Sequence, residues 1–267
     1  MLLPQTTRYG RATLRAVTLF FITVGYYTLW MTGRPFLAAF PAASRRWRAR
    51  NFGGWARLAA KVVSLKIKAN NPPPVSPFLL VANHLTYVDI VVLESQVDSA
   101  FIAKSEVAGW PLIGRICRSL STIFIDRGQK RDILKAMSKA EQTLRKGLGV
   151  VLFAEGASTQ GVTVAPFKPS LLEFAARSRI PVHYATISYA VPSGEVAAEQ
   201  SVCWWNDVPF AKHIFRLLQL RGFEASVTFG PRPIQAEDRH VLAAELWSAV
   251  HSQFIPVNRN GRSNSVV

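Results

Sequence analysis

In "PFLLVANHLTYVDI", residues 77–90, an apolar run of strand length passes directly into a histidine, His84, and five positions later an aspartate, Asp89. Five residues of regular helix rotate by about 140°, so these two side chains do not share a helix face. They meet if His84 sits in the loop leaving a strand and Asp89 lies in the helical segment that follows. The carboxylate then holds one ring nitrogen and leaves the other to take a proton from a hydroxyl. A histidine satisfied by backbone contacts at a strand end is the structural alternative.

Runs of the same kind recur: "AFIAKS", "STIFIDR", "GVVLFAEG", "IPVHYATISY" and "ASVTFGPRPI". Their near-continuous hydrophobicity predicts strands buried on both faces, and helical patterns separate several of them, so the body reads as one α/β domain. In "QKRDILKAMSKAEQTLRKG", Ile133, Met137, Ala140 and Leu144 trace one helix face. The cations around them read as a solvated outer face, with docking of an acidic carrier protein or a membrane as the alternative. Asp126 with Arg127, and Glu155 with Gly156, stand at the ends of buried runs. Ligands bind at strand ends in open α/β sheets, so these polar groups carry weight.

The chain is 49% hydrophobic, yet 32 lysines and arginines face 16 acids, a net charge of +16. Apolar and cationic together, this composition predicts an anionic membrane surface as partner. Nucleic acid is not expected, because neither zinc-finger spacing nor an RNP-type aromatic motif accompanies the charge. Cys117 and Cys203 lack metal-ligand spacing and read as buried, reduced thiols.

"AVTLFFITVGYYTLWMTG" (16–33) carries no charge. As a helix it is about 27 Å long, just short of a bilayer core of about 30 Å. Arg8, Arg11 and Arg15 precede it and Arg34 follows, which predicts a helix lying in, or dipping into, one anionic leaflet. A cleaved signal peptide, with "AAFPAAS" as the cleavage region, is the competing reading. The next segment, "RRWRARNFGGWARLAAKVVSLKIKA" (45–69), reads as an amphipathic surface helix or as a domain helix with snorkelling cations. The proline cluster at 72–74 then breaks the chain. The expected division is a membrane-associated helical segment over 1–70, a catalytic domain over 71–255 and a polar, disordered tail over 256–267.

Four blocks occur in order: "HLTYVD" (84–89), "FIDR" (124–127), "FAEGAS" (153–158) and "IPVHYA" (180–185). Together they resemble the blocks of the glycerophospholipid acyltransferases typified by 1-acylglycerol-3-phosphate acyltransferase. "FIAKSEVAGWPLIG" (101–114) and "APFKPSLLEFA" (165–175) also resemble family segments, so the likeness runs from about Leu58 to Trp247. It implies a mixed, largely parallel sheet flanked by helices, glycerolphosphate-acyltransferase-like. It implies a membrane-bound O-acyltransferase, at the cytoplasmic face of the inner membrane. The acyl group of acyl-CoA or an acyl carrier protein goes to a lysophospholipid hydroxyl without an acyl-enzyme. By position, His84 is the general base and Asp89 its orienter. Arg127, Glu155 and Gly156 line the acceptor site, and Lys104 adds positive charge. Neither a metal nor a redox cofactor is expected.

The third block departs from the family form, with Ala154, Ala157 and Ser158 where proline, threonine and arginine are usual. Losing that arginine removes a fork suited to bidentate phosphate binding. Phosphatidic acid from 1-acylglycerol-3-phosphate is the leading expectation for the product. A similar branch with serine or threonine at the arginine position acylates lyso-ornithine lipid, which is the alternative. A thioester hydrolase and a non-catalytic lipid-binding protein are the competing classes.

Overall fold

The computed structural model describes residues 5–257 apart from Leu112, Arg127 and Asp207. Among the described residues one sheet is formed by β1 (Leu65–Asn70), β2 (Leu79–Ala82), β3 (Ser99–Lys104), β4 (Ile123–Ile125), β5 (Gly149–Phe153), β6 (Val182–Ala190) and β7 (Phe223–Phe229). Its spatial order is β1-β7-β6-β2-β5-β3-β4. Every neighbouring pair is parallel except β6 with β7. The mixed, largely parallel sheet expected from the blocks is the one observed.

The apolar runs alternate faces with a period of two, and both faces are covered. In β2, Leu80 and Ala82 enter one core while Leu79 and Val81 enter the other. In β5, Val151 and Phe153 pair with the first core, Val150 and Leu152 with the second. Each fully buried aliphatic side chain contributes about 1.5–3 kcal/mol, so these two strands anchor both layers. Gly149 opens β5 beneath the Phe78 ring, where an added Cβ would lie 2.3 Å from the ring, so no larger residue fits without displacing Phe78.

On the first face lie α1 (Gln5–Leu37), α2 (Pro41–Val62), α3 (Val88–Glu94), α7 (Ala198–Ser201) and α8 (Phe210–Leu218). On the second lie α5 (Lys130–Arg145), α6 (Glu173–Arg177) and α9 (Arg239–Ser252). The short α4 (Ile113–Ser119) leads into β4. In α5, Met137 and Ala140 are buried and Ile133 and Leu144 pack against them, as the spacing predicts.

Two expectations for the N-terminal region are corrected. Residues 45–69 are not one helix: α2 ends at Val62, Ser64 takes a positive φ of 56°, and β1 pairs with β7 as the sheet's edge. The sheet thus begins at Leu65, ahead of the boundary expected after residue 70. Nor does the apolar helix start at Ala16. α1 is 33 residues long, about 50 Å of helix, and among the described residues it is the one long and apolar enough to cross a membrane.

Its first third belongs to the domain. Arg15 is buried and donates to the carbonyls of Leu218 (3.1 Å) and Leu220 (2.6 Å), while Arg11 donates to that of Gln219 (2.6 Å). These carbonyls close α8, where a helix leaves acceptors unpaired and favours cations. α2 packs back along α1: Trp55 Nε1 donates to Thr23 Oγ1 (3.1 Å), and Asn51 Nδ2 to the Tyr26 carbonyl (3.0 Å). The outer face of α1 remains apolar, with Leu14, Phe21 and Phe36 all well exposed. Of the polar tail, residues 258–267 lie outside the described residues.

Candidate active site

β2 ends at Ala82, and the chain leaves the sheet through Asn83 and His84 into α3. Asn83 is buried and mimics a strand partner: its Nδ2 donates to the Ile187 carbonyl (2.9 Å), and its Oδ1 accepts from the Ile187 N–H (2.7 Å). The exit of the chain is thereby pinned to β6. His84 lies in the loop and Asp89 in the first turn of α3, the placement the sequence geometry requires.

The two side chains meet. His84 Nδ1 lies 2.7 Å from Asp89 Oδ2, which also accepts from the Leu85 N–H (2.7 Å) and the Thr86 N–H (3.0 Å). Asp89 is fully buried, and its Oδ1 accepts from the Tyr189 hydroxyl at 2.8 Å. With a carboxylate as its partner, Nδ1 carries the ring proton and Nε2 holds the free lone pair. Nε2 has no hydrogen-bond partner among the described residues, and the side chain retains 19% of its exposure. Phe153 stacks on the imidazole at 4.1 Å between ring centres, fixing its plane.

Backbone groups of the loop are equally committed. The His84 N–H donates to Glu155 Oε1 at 2.5 Å, and the His84 carbonyl accepts from the Thr159 N–H at 2.9 Å. The Leu85 carbonyl accepts from the Trp204 N–H at 2.8 Å. Glu155 is buried just beyond β5, and its second oxygen accepts from the Ala165 N–H at 2.7 Å. Both carboxylate oxygens are therefore engaged by backbone. Burial pushes this carboxyl up to about 7; the His84 and Ala165 N–H groups oppose the rise, and the nearby Asp89 charge adds to it.

Gly156 follows with φ +87°, a conformation that suits glycine, and the Lys168 chain lies where a Cβ would point. Lys104 is exposed at the C-terminal end of β3, on the side of the sheet where β2 and β5 also end. Arg127 lies outside the described residues. Ser158, at the position where the resemblance places an arginine, donates its hydroxyl to the Trp204 carbonyl.

Several groups at this site carry no motif. Tyr189 is a tyrosine in an apolar strand outside the four blocks, whereas Phe153 opens the third block. His213, which shows no partner spacing in the sequence, is buried between the Tyr87 hydroxyl (3.1 Å) and the Cys203 carbonyl (3.0 Å). The "CWWNDVPF" segment packs through Trp204 against Tyr87 and Phe210, beside the His84 loop. Cys203 is buried as expected, whereas Cys117 is half-buried.

The acyltransferase family model matches residues 64–188. The chain is 30% identical over 259 residues to the lyso-ornithine lipid O-acyltransferase of Rhodobacter capsulatus, covering 93% of this chain and 92% of the relative. It is 27% identical over 201 residues to the 1-acyl-sn-glycerol-3-phosphate acyltransferase of Neisseria gonorrhoeae, covering 74% and 78% respectively. Its fold matches the crystal structure of the 1-acyl-sn-glycerophosphate acyltransferase of Thermotoga maritima with a TM-score of 0.67 at 20% identity, over 94% of this chain and 100% of that one. With the four blocks carried on that fold and a relative of this identity along almost its whole length, the chain belongs to the acyltransferase family, as an acyltransferase of the lysophospholipid type.

Proposed function

We propose that the chain transfers a fatty acyl group from an acyl thioester to the hydroxyl of lyso-ornithine lipid at a membrane surface. The observation that supports the chemistry is His84, whose Nδ1 is held by a buried carboxylate while Nε2 has no partner among the described residues. Nε2 takes the proton as the acceptor oxygen bonds to the thioester carbonyl carbon. The tetrahedral intermediate then expels the thiolate, which recovers the proton from Nε2, so His84 ends as it began. A thioester is already activated, so positioning and one base suffice without an acyl-enzyme.

The acceptor is argued from Ser158. Its short hydroxyl is occupied by the Trp204 carbonyl and offers no fork to a phosphate. The headgroup of lyso-ornithine lipid carries an ammonium and a carboxylate in place of a phosphate. The relative from Rhodobacter capsulatus, named for that acceptor, aligns along nearly the whole chain. The exposed Lys104 favours 1-acylglycerol-3-phosphate as a second reading, because it leaves a cation at the strand ends. The apolar outer face of α1 and the net charge of +16 support seating on the anionic cytoplasmic face of the cell membrane.

The test is acyl transfer by detergent-purified protein, wild type beside His84→Ala. Labelled acyl-CoA and labelled acyl-acyl carrier protein are each offered with lyso-ornithine lipid, 1-acylglycerol-3-phosphate or no acceptor. Ornithine lipid is expected as product, with turnover falling about 10²–10⁴-fold in His84→Ala at an unchanged melting temperature. Phosphatidic acid as the sole product selects the second reading. Thioester loss without a lipid product overturns both in favour of a hydrolase.

A further inference from the structure

The two oxygens of Asp89 are loaded unequally. Oδ2 accepts from the His84 ring and from two backbone N–H groups, whereas the partner of Oδ1 is the Tyr189 hydroxyl. Because Asp89 is fully buried, water cannot replace a donor lost from Oδ1. The phenol is also rigidly delivered. Tyr189 is buried on β6 with its ring against Phe223, and the Asn83–Ile187 pair locks that strand to the point where His84 leaves β2. Burial first, and then the Asp89 charge, hold the phenol well above its usual range, so it remains a donor.

We infer that Tyr189 is a positioning residue of this reaction: its hydroxyl fixes the Asp89 carboxylate and, through it, the His84 imidazole with Nε2 directed to the acceptor. The inference rests on His84 as the base proposed above. Tyr189 lies 100 residues from Asp89 in the chain and outside the four blocks. It acts through Asp89, since its hydroxyl is spent on that carboxylate.

Titratable groups reach Asp89 from every side. They are His84 in the loop, Glu155 beyond β5, Tyr189 on β6 and Cys203 after α7, while Tyr87 at the head of α3 acts on Tyr189. Burial raises Cys203 and Tyr87 far enough that both stay protonated, while Glu155, at about 7, titrates in the working range. A pH profile is therefore read in a Glu155→Gln background as well as in the native chain.

Tyr189→Phe keeps the ring and removes the donor. Turnover is expected to fall about 10- to 100-fold with KM for donor and acceptor nearly unchanged. The acid limb of the kcat/KM profile moves to higher pH, in both backgrounds. In an Asp89→Asn chain the same change costs less than about threefold, because the carboxylate it serves is gone. Site-specific 3,5-difluorotyrosine at 189, a stronger donor of nearly the same shape, moves the acid limb the other way and tests the idea even if Tyr189→Phe folds poorly. Equal losses with and without Asp89, or no movement of the limb with either replacement, overturn the inference. If rate depends on His84 but not on the 189 hydroxyl, this inference alone fails; if rate is indifferent to His84, the reading of the base fails with it.

Discussion

Helix α3 has a buried carboxylate at each end, and the two are surrounded in opposite ways. Asp89, in the first turn, accepts from a ring N–H, two backbone N–H groups and a phenol. Glu94, the last residue, is also buried, but its Oε1 has no partner among the described residues, and neither has the nearby Ser99 Oγ. Arg48 of α2 spends its charge elsewhere, on Asp98 and on the carbonyls of Ser99 (2.7 Å) and Leu120 (3.1 Å). Burial pushes Glu94 up to about 8; Arg48 opposes the rise, Asp98 adds to it, and a single backbone donor, the Ser99 N–H, opposes it. Donors, not depth, separate the ends: a carboxylate is useful inside a protein only where hydrogen bonds replace its water.

That contrast breaks most visibly at Asp89. Asp89→Asn removes the charge and puts an amide N–H₂ among groups that donate in the native site, favouring the wrong His84 tautomer, so turnover is expected to fall about 10²–10⁴-fold. Steady-state kinetics on folded variant check it, and turnover within a few-fold of wild type would remove the carboxylate from the mechanism. Glu155→Gln sharpens the comparison by testing a buried carboxylate whose partners are all backbone. One of its two N–H donors then faces another donor, at a cost of about 1–3 kcal/mol in denaturant unfolding, with a smaller fall in turnover as the His84 loop loosens. Unchanged unfolding would show that the loop does not depend on this clamp.

Glu94→Gln has the smallest expected effect on rate, and turnover should match wild type. Its readout is stability against pH. The folded value of about 8 exceeds the ordinary 4.5, so between them the native state binds more protons than the unfolded chain. Native stability from this group therefore declines as pH rises through that window, and the glutamine variant lacks the decline. Melting temperatures at about pH 5 and about pH 8 should converge in the variant relative to wild type. Parallel curves would mean that Arg48 already holds the charge at that end of the helix.

The His84–Asp89 end of α3 was readable in the sequence because its parts are local. A strand, a loop and a helical turn place His84 and Asp89 within five residues, and helical geometry alone requires the break between them. Glu155 was readable as a strand-end carboxylate, but its partners are backbone N–H groups, which have no sequence signature. Tyr189 reached Asp89 only through sheet register, across 100 residues. β1 was hidden for another reason. Lys66 and Lys68 alternate with Leu65 and Ile67, a pattern that suits an edge strand and also continues the cationic amphipathic run of α2. Buried strands such as β2 and β5 carry no such ambiguity, since both faces demand apolar side chains.

Arg11 and Arg15 carry a consequence for how the enzyme meets its substrate. They join α1 to the closing carbonyls of α8 without an intervening linker, so the helix proposed to seat in lipid is tied directly to the domain that carries His84. Such an enzyme has no leash on which to swing toward solvent. On the proposed membrane seating its search is confined to two dimensions, and the height of Nε2 above the lipid plane follows from this anchorage. The acceptor would then supply the remaining freedom, rising or tilting within the leaflet until its hydroxyl reaches the proposed base.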